Sequence, residues 1–226
     1  MIAGADTGVI ERAHQTLGTS DDAIYGTVAA ALRVRNVRGA IADIGCGQGR
    51  FRAAVADLCS SYIAIDVLRH PTLPVDAHFA EADLDREPIP LRDGSVDAAI
   101  AIETIEHLEN ARAFFRELVR IVRPGGWVAV STPNQLSLLS LASLAVTGQF
   151  AAFQDGSYPA HRTALLETDL RRIAAECGLA EIAVSYTCRG RVPLTALHYP
   201  GALARLAPRA FSDNVVVVGQ KSNDPL

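Results

Sequence analysis

Long hydrophobic runs are missing from this 226-residue chain. The longest apolar stretch, Leu136 to Val146, is broken by Ser137, Ser140 and Ser143. It falls far short of the roughly 20 residues that a membrane span needs. No charged start followed by an apolar stretch marks the first residues, so no secretory leader is expected. Positive charge is not in excess either. Lys and Arg number 21 against 25 Asp and Glu, a net charge of −4, without the basic footprint of a nucleic-acid binder. Cysteine is sparse: Cys46, Cys59, Cys177 and Cys188 are scattered, with no pair at metal-ligand spacing. They read as reduced thiols of a cytoplasmic protein. Aromatic residues are few at 6%, yet hydrophobic residues reach 49%, enough for a real core and against wholesale disorder. The expectation is one cytoplasmic domain over 1–226, without integral membrane association or nucleic acid, and the pattern fixes no oligomeric state.

Neither internal repeats nor low-complexity runs interrupt the chain. Residues 1–19 are expected to be loose. Ser20-Asp21-Asp22 offers an N-cap and an acidic first turn for a helix within 20–38. Short apolar runs then recur at Ala40 to Ile44, Tyr62 to Asp66, Ala77 to Ala82, Val96 to Ile102 and Trp127 to Ser131. Helix-length segments at Arg50 to Cys59 and Asn110 to Val122 separate some of them. That alternation predicts crossover units and a parallel, doubly wound α/β sheet. Pro133 to Arg162 carries no strand signal and reads as a lid insertion, with an amphipathic helix from Leu136 to Val146. Thr168 caps a helix to Cys177, and Ile182 to Tyr186 and Val215 to Gly219 close a seven-stranded, mostly parallel sheet. The core spans 39–132, the lid 133–162 and the closing helix and strands 163–226.

Open parallel sheets bind ligands beyond the carboxyl ends of their strands, where strand order reverses. The first strand runs into Gly45-Cys46-Gly47-Gln48-Gly49. A dinucleotide turn would carry a third glycine where Arg50 stands, and no Lys-Ser or Lys-Thr follows for a P-loop. A nucleoside without a phosphate chain fits this turn better. Asp66, about 20 residues on, ends the second strand, where a carboxylate can accept from both hydroxyls of a ribose. Asp83 ends the third, within the acidic run Glu81-Ala-Asp-Leu-Asp85, and can accept from an adenine amino group, with Asp85 as the alternative.

These residues resemble a known family. Ile41-Ala-Asp-Ile-Gly-Cys-Gly-Gln-Gly49 is similar to the first motif of class I S-adenosylmethionine-dependent methyltransferases, and Ile63-Ala-Ile-Asp66 to their ribose-binding strand end. Ala82-Asp83-Leu84 with Pro90 to Asp97 resembles their adenine loop and fourth strand. Glu103-Thr-Ile-Glu-His-Leu108 and Arg123-Pro-Gly-Gly-Trp127 resemble the segments that follow in the small-molecule branch. The likeness covers about Ala40 to Asn134 in order. It implies S-adenosyl-L-methionine as cofactor, with Gly45, Gly47, Asp66 and Asp83 touching it. It also implies Leu84 beside the adenine, Glu103 near the methionine end and Asp43 under the cofactor's amino group.

For the acceptor side the residues leave alternatives open. His107 either acts as a base near the methyl donor or anchors its loop, and Glu103 stands four residues before it. That spacing alone does not support a metal site, and no metal is expected. Tyr158 and His161, at the end of the lid, are expected to line the acceptor pocket, with His161 a second possible base. Cys46 reads as a small side chain tolerated in a tight turn rather than a nucleophile. The expected activity is methyl transfer to a hydroxyl of a small-molecule acceptor. An inactive nucleoside-binding protein and a nicotinamide-dependent oxidoreductase are the alternatives.

Overall fold

In the computed structural model, which describes residues 18–223, each apolar run of the sequence becomes a strand. These are β1 (Gly39–Ile44), β2 (Cys59–Asp66), β3 (His78–Glu81), β4 (Val96–Ile102), β5 (Val122–Pro133), β6 (Leu179–Tyr186) and β7 (Asn214–Lys221). The helices are α1 (Asp22–Val34), α2 (Phe51–Ala54), α3 (Ala111–Ile121), α4 (Leu138–Thr147), α5 (Glu167–Glu176) and α6 (Gly201–Leu206). Most of the opening segment read as loose, up to residue 17, lies outside the described residues.

The strands form one sheet in the order β3-β2-β1-β4-β5-β7-β6. All pairs from β3 to β5 are parallel, and β7 runs antiparallel to both of its neighbours. The chain winds outward from β1 to β3, then crosses back to lay β4 on the other side of β1. That reversal opens a crevice past the carboxyl ends of β1 and β4.

Alternation along the strands builds two apolar layers. Ala42 and Ile44 pack on one face with Phe114, Phe115 and Leu118 of α3 and Leu170 and Ile173 of α5. Ile41 and Ile100 point to the other face, against Val28 and Leu32 of α1 and Phe51. Buried on both faces, β4 reads as the near-continuous apolar run Ala98 to Ile102, as a central parallel strand should.

Local chemistry fixes the helix ends. Asp21 accepts the Ala23 N–H at 2.8 Å and Asn110 the Ala113 N–H at 3.0 Å, two ordinary N-caps. Three boundaries differ from the sequence reading. The helix expected over Arg50 to Cys59 is α-helical only from Phe51 to Ala54; tighter turns carry it on, Leu58 N–H donating to the Val55 carbonyl at 2.9 Å. Thr168 is not the cap of α5, because Asp169 reaches back to the Leu166 N–H at 3.1 Å and starts the helix earlier. Strand β5 begins at Val122, ahead of the Pro-Gly-Gly turn, and α6 was not foreseen. The lid does contain a helix, α4, whose Leu138, Leu141 and Leu144 remain partly exposed. Among the described residues, no helix is long and apolar enough to cross a membrane.

Candidate active site

A cavity of about 610 Å³ lies in the crevice at the carboxyl ends of the strands. Asp43, Gly45, Gly47, Asp66, Asp83, Leu84, Glu103, His107 and His161 all line it. Tyr158 does not. It is 71% exposed, and the expectation that it contacts the acceptor is corrected. Nearness to His161 in sequence misled there, because Tyr158 follows the 3-10 turn at 155–157 with its side chain toward solvent.

The turn after β1 needs its glycines for packing as much as for ligand access. Gly45 has φ +74°, and a Cβ on it would stand 2.4 Å from Thr104 Oγ1 and 2.6 Å from Thr104 Cγ2. Thr104 is held there by donating to the carbonyls of Ile44 or Ile102, each 3.2 Å away. At Gly47, φ is +48° and a Cβ would meet the carbonyl oxygen of Gly18 at 2.2 Å. The room these glycines leave is shared with Thr104 and the segment before α1. Cys46, between them, is buried, and burial pushes its thiol well above the ordinary range. It is no nucleophile.

Asp66, at the end of β2, accepts the Gly47 N–H and the Val67 N–H, each at 2.7 Å. An ionised carboxylate has about four acceptor positions, so capacity remains for a diol. The two aspartates of the acidic run are held differently, Asp83 first. Its Oδ1 takes the Asp85 N–H at 3.1 Å, while Oδ2 is buried with no hydrogen-bond partner among the described residues. Arg86 Nε stands 3.9 Å from that oxygen. Asp85 is engaged elsewhere, by the Glu109 N–H at 2.8 Å and by Arg162 at 3.8 Å. An orphaned buried acceptor on the cavity wall is where an exocyclic amine would find its partner, beside the apolar Leu84.

Asp43, buried at the end of β1, accepts a short hydrogen bond from Tyr62. Burial raises its pKa to about 7 against the lowering effect of that hydroxyl, and Asp66 nearby raises it further. The unfolded carboxyl ionises near pH 4, and the folded one only near 7. The folded state therefore binds more protons in that window, and stability falls as pH rises through it. Asp43→Asn, which keeps the acceptor for Tyr62, should flatten this slope in urea unfolding between pH 5 and pH 8. An unchanged slope would place the titration elsewhere.

Glu103, also at positive φ (+50°), is held from both sides. Ser131 Oγ donates to its Oε1 at 2.9 Å and Asn214 Nδ2 to its Oε2 at 2.7 Å. Burial raises its pKa to about 7. Glu106 is fully buried and raised further, first by desolvation and then by Glu103. His107 Nδ1 lies 2.7 Å from the Ala160 carbonyl oxygen and His161 Nδ1 2.6 Å from that of Ala152. The two rings meet edge to face with centroids 4.9 Å apart. Burial lowers the His161 pKa. Sequence reasoning missed Thr104 and Asn214, which act through the fold rather than through any motif.

Comparison with known proteins bears on the fold and the family. The methyltransferase domain family matches residues 42–130. A probable S-adenosylmethionine-dependent methyltransferase of Mycolicibacterium smegmatis is 33% identical over 100 residues, 43% of this chain and 39% of that protein. A ubiquinone biosynthesis O-methyltransferase of Thiobacillus denitrificans is 28% identical over 149 residues, 62% and 63% of the two chains. A tRNA (carboxymethyluridine(34)-5-O)-methyltransferase of Macaca fascicularis is 35% identical over 94 residues, 38% of this chain and 13% of its own length. Among solved structures, Burkholderia thailandensis 1,6-didemethyltoxoflavin-N1-methyltransferase with bound S-adenosylhomocysteine superposes with TM-score 0.64 at 13% identity. That superposition covers 96% of this chain and 86% of that one. The chain spans about two fifths of the length of the first curated relatives it matches.

The fold is Rossmann-like, with the seven-stranded sheet found in solved methyltransferases. Residues 42–130 match the methyltransferase domain family, and 43% of the chain is similar to a probable S-adenosylmethionine-dependent methyltransferase. The residues present fit S-adenosylmethionine: a carboxylate with spare acceptor capacity at β2, and one past β3 whose Oδ2 has no hydrogen-bond partner among the described residues.

Proposed function

We propose that the chain, as a single methyltransferase domain, transfers a methyl group from S-adenosylmethionine to a hydroxyl of a small-molecule acceptor. The observation that carries this reading is that Asp66, Asp83, His107 and His161 all line one cavity. The cofactor supplies an electrophilic methyl group on a good leaving group. Asp66 then holds the ribose, Asp83 and Leu84 the adenine, and Asp43 and Glu103 lie toward the methionine end. Orientation of this kind is worth roughly 7–11 kcal/mol of the barrier.

On the acceptor side, a carbonyl can only accept, so Nδ1 of each histidine carries the hydrogen. Each neutral ring then has its lone pair on Nε2, the tautomer a proton acceptor needs. The lid lays Ala151 and Ala152 over this end of the cavity, where they limit water. Net charge of −4 favours a small acceptor over a nucleic acid, and the ubiquinone-pathway relative is named for O-methylation. A cytoplasmic setting suits the four free cysteines.

Incubation with S-adenosylmethionine and a panel of phenols, sugars and amines, read by mass spectrometry, tests the reading. A hydroxyl acceptor should gain one methyl group, and His107→Ala or His161→Ala should lower its turnover by about 10²–10⁴-fold while S-adenosylhomocysteine still binds. Cofactor binding with no product from any acceptor would leave only a nucleoside-binding protein. Tighter binding of a nicotinamide dinucleotide than of S-adenosylhomocysteine would overturn the class of reaction.

A further inference from the structure

The acceptor end of the cavity collects more ligating chemistry than proton removal needs. Glu106, His107 and His161 each bring one ligand atom to within 4.8 Å of the others. Two come from the turn after β4 and the third from the far end of the lid. Glu106 is fully buried on the cavity wall. Its Oε2 takes the Thr132 hydroxyl at 3.1 Å, but Oε1 has no hydrogen-bond partner among the described residues. A buried carboxylate oxygen without a donor is costly, and a bound cation is an ordinary way to satisfy it.

The histidines are set up in the same sense. Both Nδ1 atoms are tied to backbone carbonyls, at 2.7 Å and 2.6 Å, which turns both Nε2 lone pairs into ligand positions. This is the outer anchoring by which proteins orient metal-binding imidazoles. We propose that Glu106, His107 and His161 bind a divalent transition-metal ion, whose open face takes an oxygen of the acceptor and which, with both Nε2 atoms then ligating, activates the hydroxyl in place of a histidine base. Two imidazoles and one carboxylate suit manganese, iron, cobalt or zinc rather than magnesium or calcium, which favour all-oxygen shells. Bonds of about 2.1 Å at tetrahedral angles put ligand atoms about 3.4 Å apart, so the trio closes around an ion by drawing in at most about 1.4 Å. Because His161 belongs to the lid, the ion would pin the lid to the turn after β4.

Only the acceptor clause rests on the methyl-transfer reading; metal binding stands apart from it. Untagged protein stripped with a chelator is titrated with Co²⁺, followed by visible absorption, and with Mn²⁺, followed by loss of the free-ion electron paramagnetic resonance signal. S-adenosylhomocysteine calorimetry is run in parallel. The expected result is saturable binding of one ion per chain and a rise in the thermal midpoint. Glu106→Gln and His161→Ala should each lower metal affinity by at least about 100-fold while still binding S-adenosylhomocysteine, which shows that they are folded. Wild-type protein that binds S-adenosylhomocysteine but shows no saturable metal binding overturns the proposal. So do folded variants that bind the ion as tightly as wild type. Metal binding without any affinity for S-adenosylhomocysteine would keep the metal site and defeat the methyl-transfer reading.

Discussion

Replacing Asp66 with alanine is expected to weaken S-adenosylhomocysteine binding by roughly 10²–10⁴-fold. Two hydrogen bonds from a ribose diol to an ionised carboxylate are together worth roughly 3–6 kcal/mol, and the alanine removes both. Asp66 sits at the end of β2 beside Glu81 of β3, with the Gly47 and Val67 N–H groups already fixing its orientation. Those two bonds are lost as well, so part of the effect is a loosened turn. Asp66→Asn separates the contributions. It keeps one carbonyl acceptor and the side-chain size, and should fall between alanine and wild type. A titration in which Asp66→Ala binds like wild type would show that this carboxylate grips no ribose.

Gly45→Val should be nearly as damaging, through the fold as well as the site. A β-branched residue at φ +74° is strained by about 1–3 kcal/mol. Its Cβ would also lie 2.4 Å from Thr104 Oγ1, and overpacking of this kind typically adds about 1–3 kcal/mol. Gly45 N–H donates to the Ile65 carbonyl at 2.8 Å, so relief by backbone movement would break the tie between β1 and β2 just where the cofactor lies. Urea unfolding and S-adenosylhomocysteine titration should both worsen. Gly45→Ala paired with Thr104→Ala should recover part of the stability, because the hydroxyl and methyl clashes go while the φ strain stays. Wild-type stability and affinity in Gly45→Val would contradict the geometry of the turn.

Where the chemistry is local, the sequence shows it plainly. The ends of β1, β2 and β4 follow from apolar runs that stop at Gly45, Asp66 and Glu103, because a parallel strand buried on both faces ends where polar residues begin. Asp66 and Asp83 were legible for that reason. Which carboxylate of the acidic run is unsatisfied was not, because it depends on Glu109 and Arg162 claiming Asp85 from distant segments. The same holds for the trio at the acceptor end. Glu106 and His107 are neighbours in sequence, but His161 reaches them only through the fold of the lid, so no spacing rule finds the group. Tyr158 shows the converse error, proximity in sequence to His161 without proximity in space. The helix after Gly49 failed for a third reason. Its composition allows a long helix, but β2 already starts at Cys59, and the chain tightens into turns to reach it.

The account depends most on the pocket formed by the β1 turn, Asp66 and Asp83. A crystal structure of the protein with S-adenosylhomocysteine tests it directly. The expected density places the ribose hydroxyls on the Asp66 carboxylate, the adenine amine against Asp83 Oδ2 and the sulfur facing the end of the cavity that holds His107 and His161. Density for the ligand in another part of the molecule, with Asp66 turned away from it, would contradict the account.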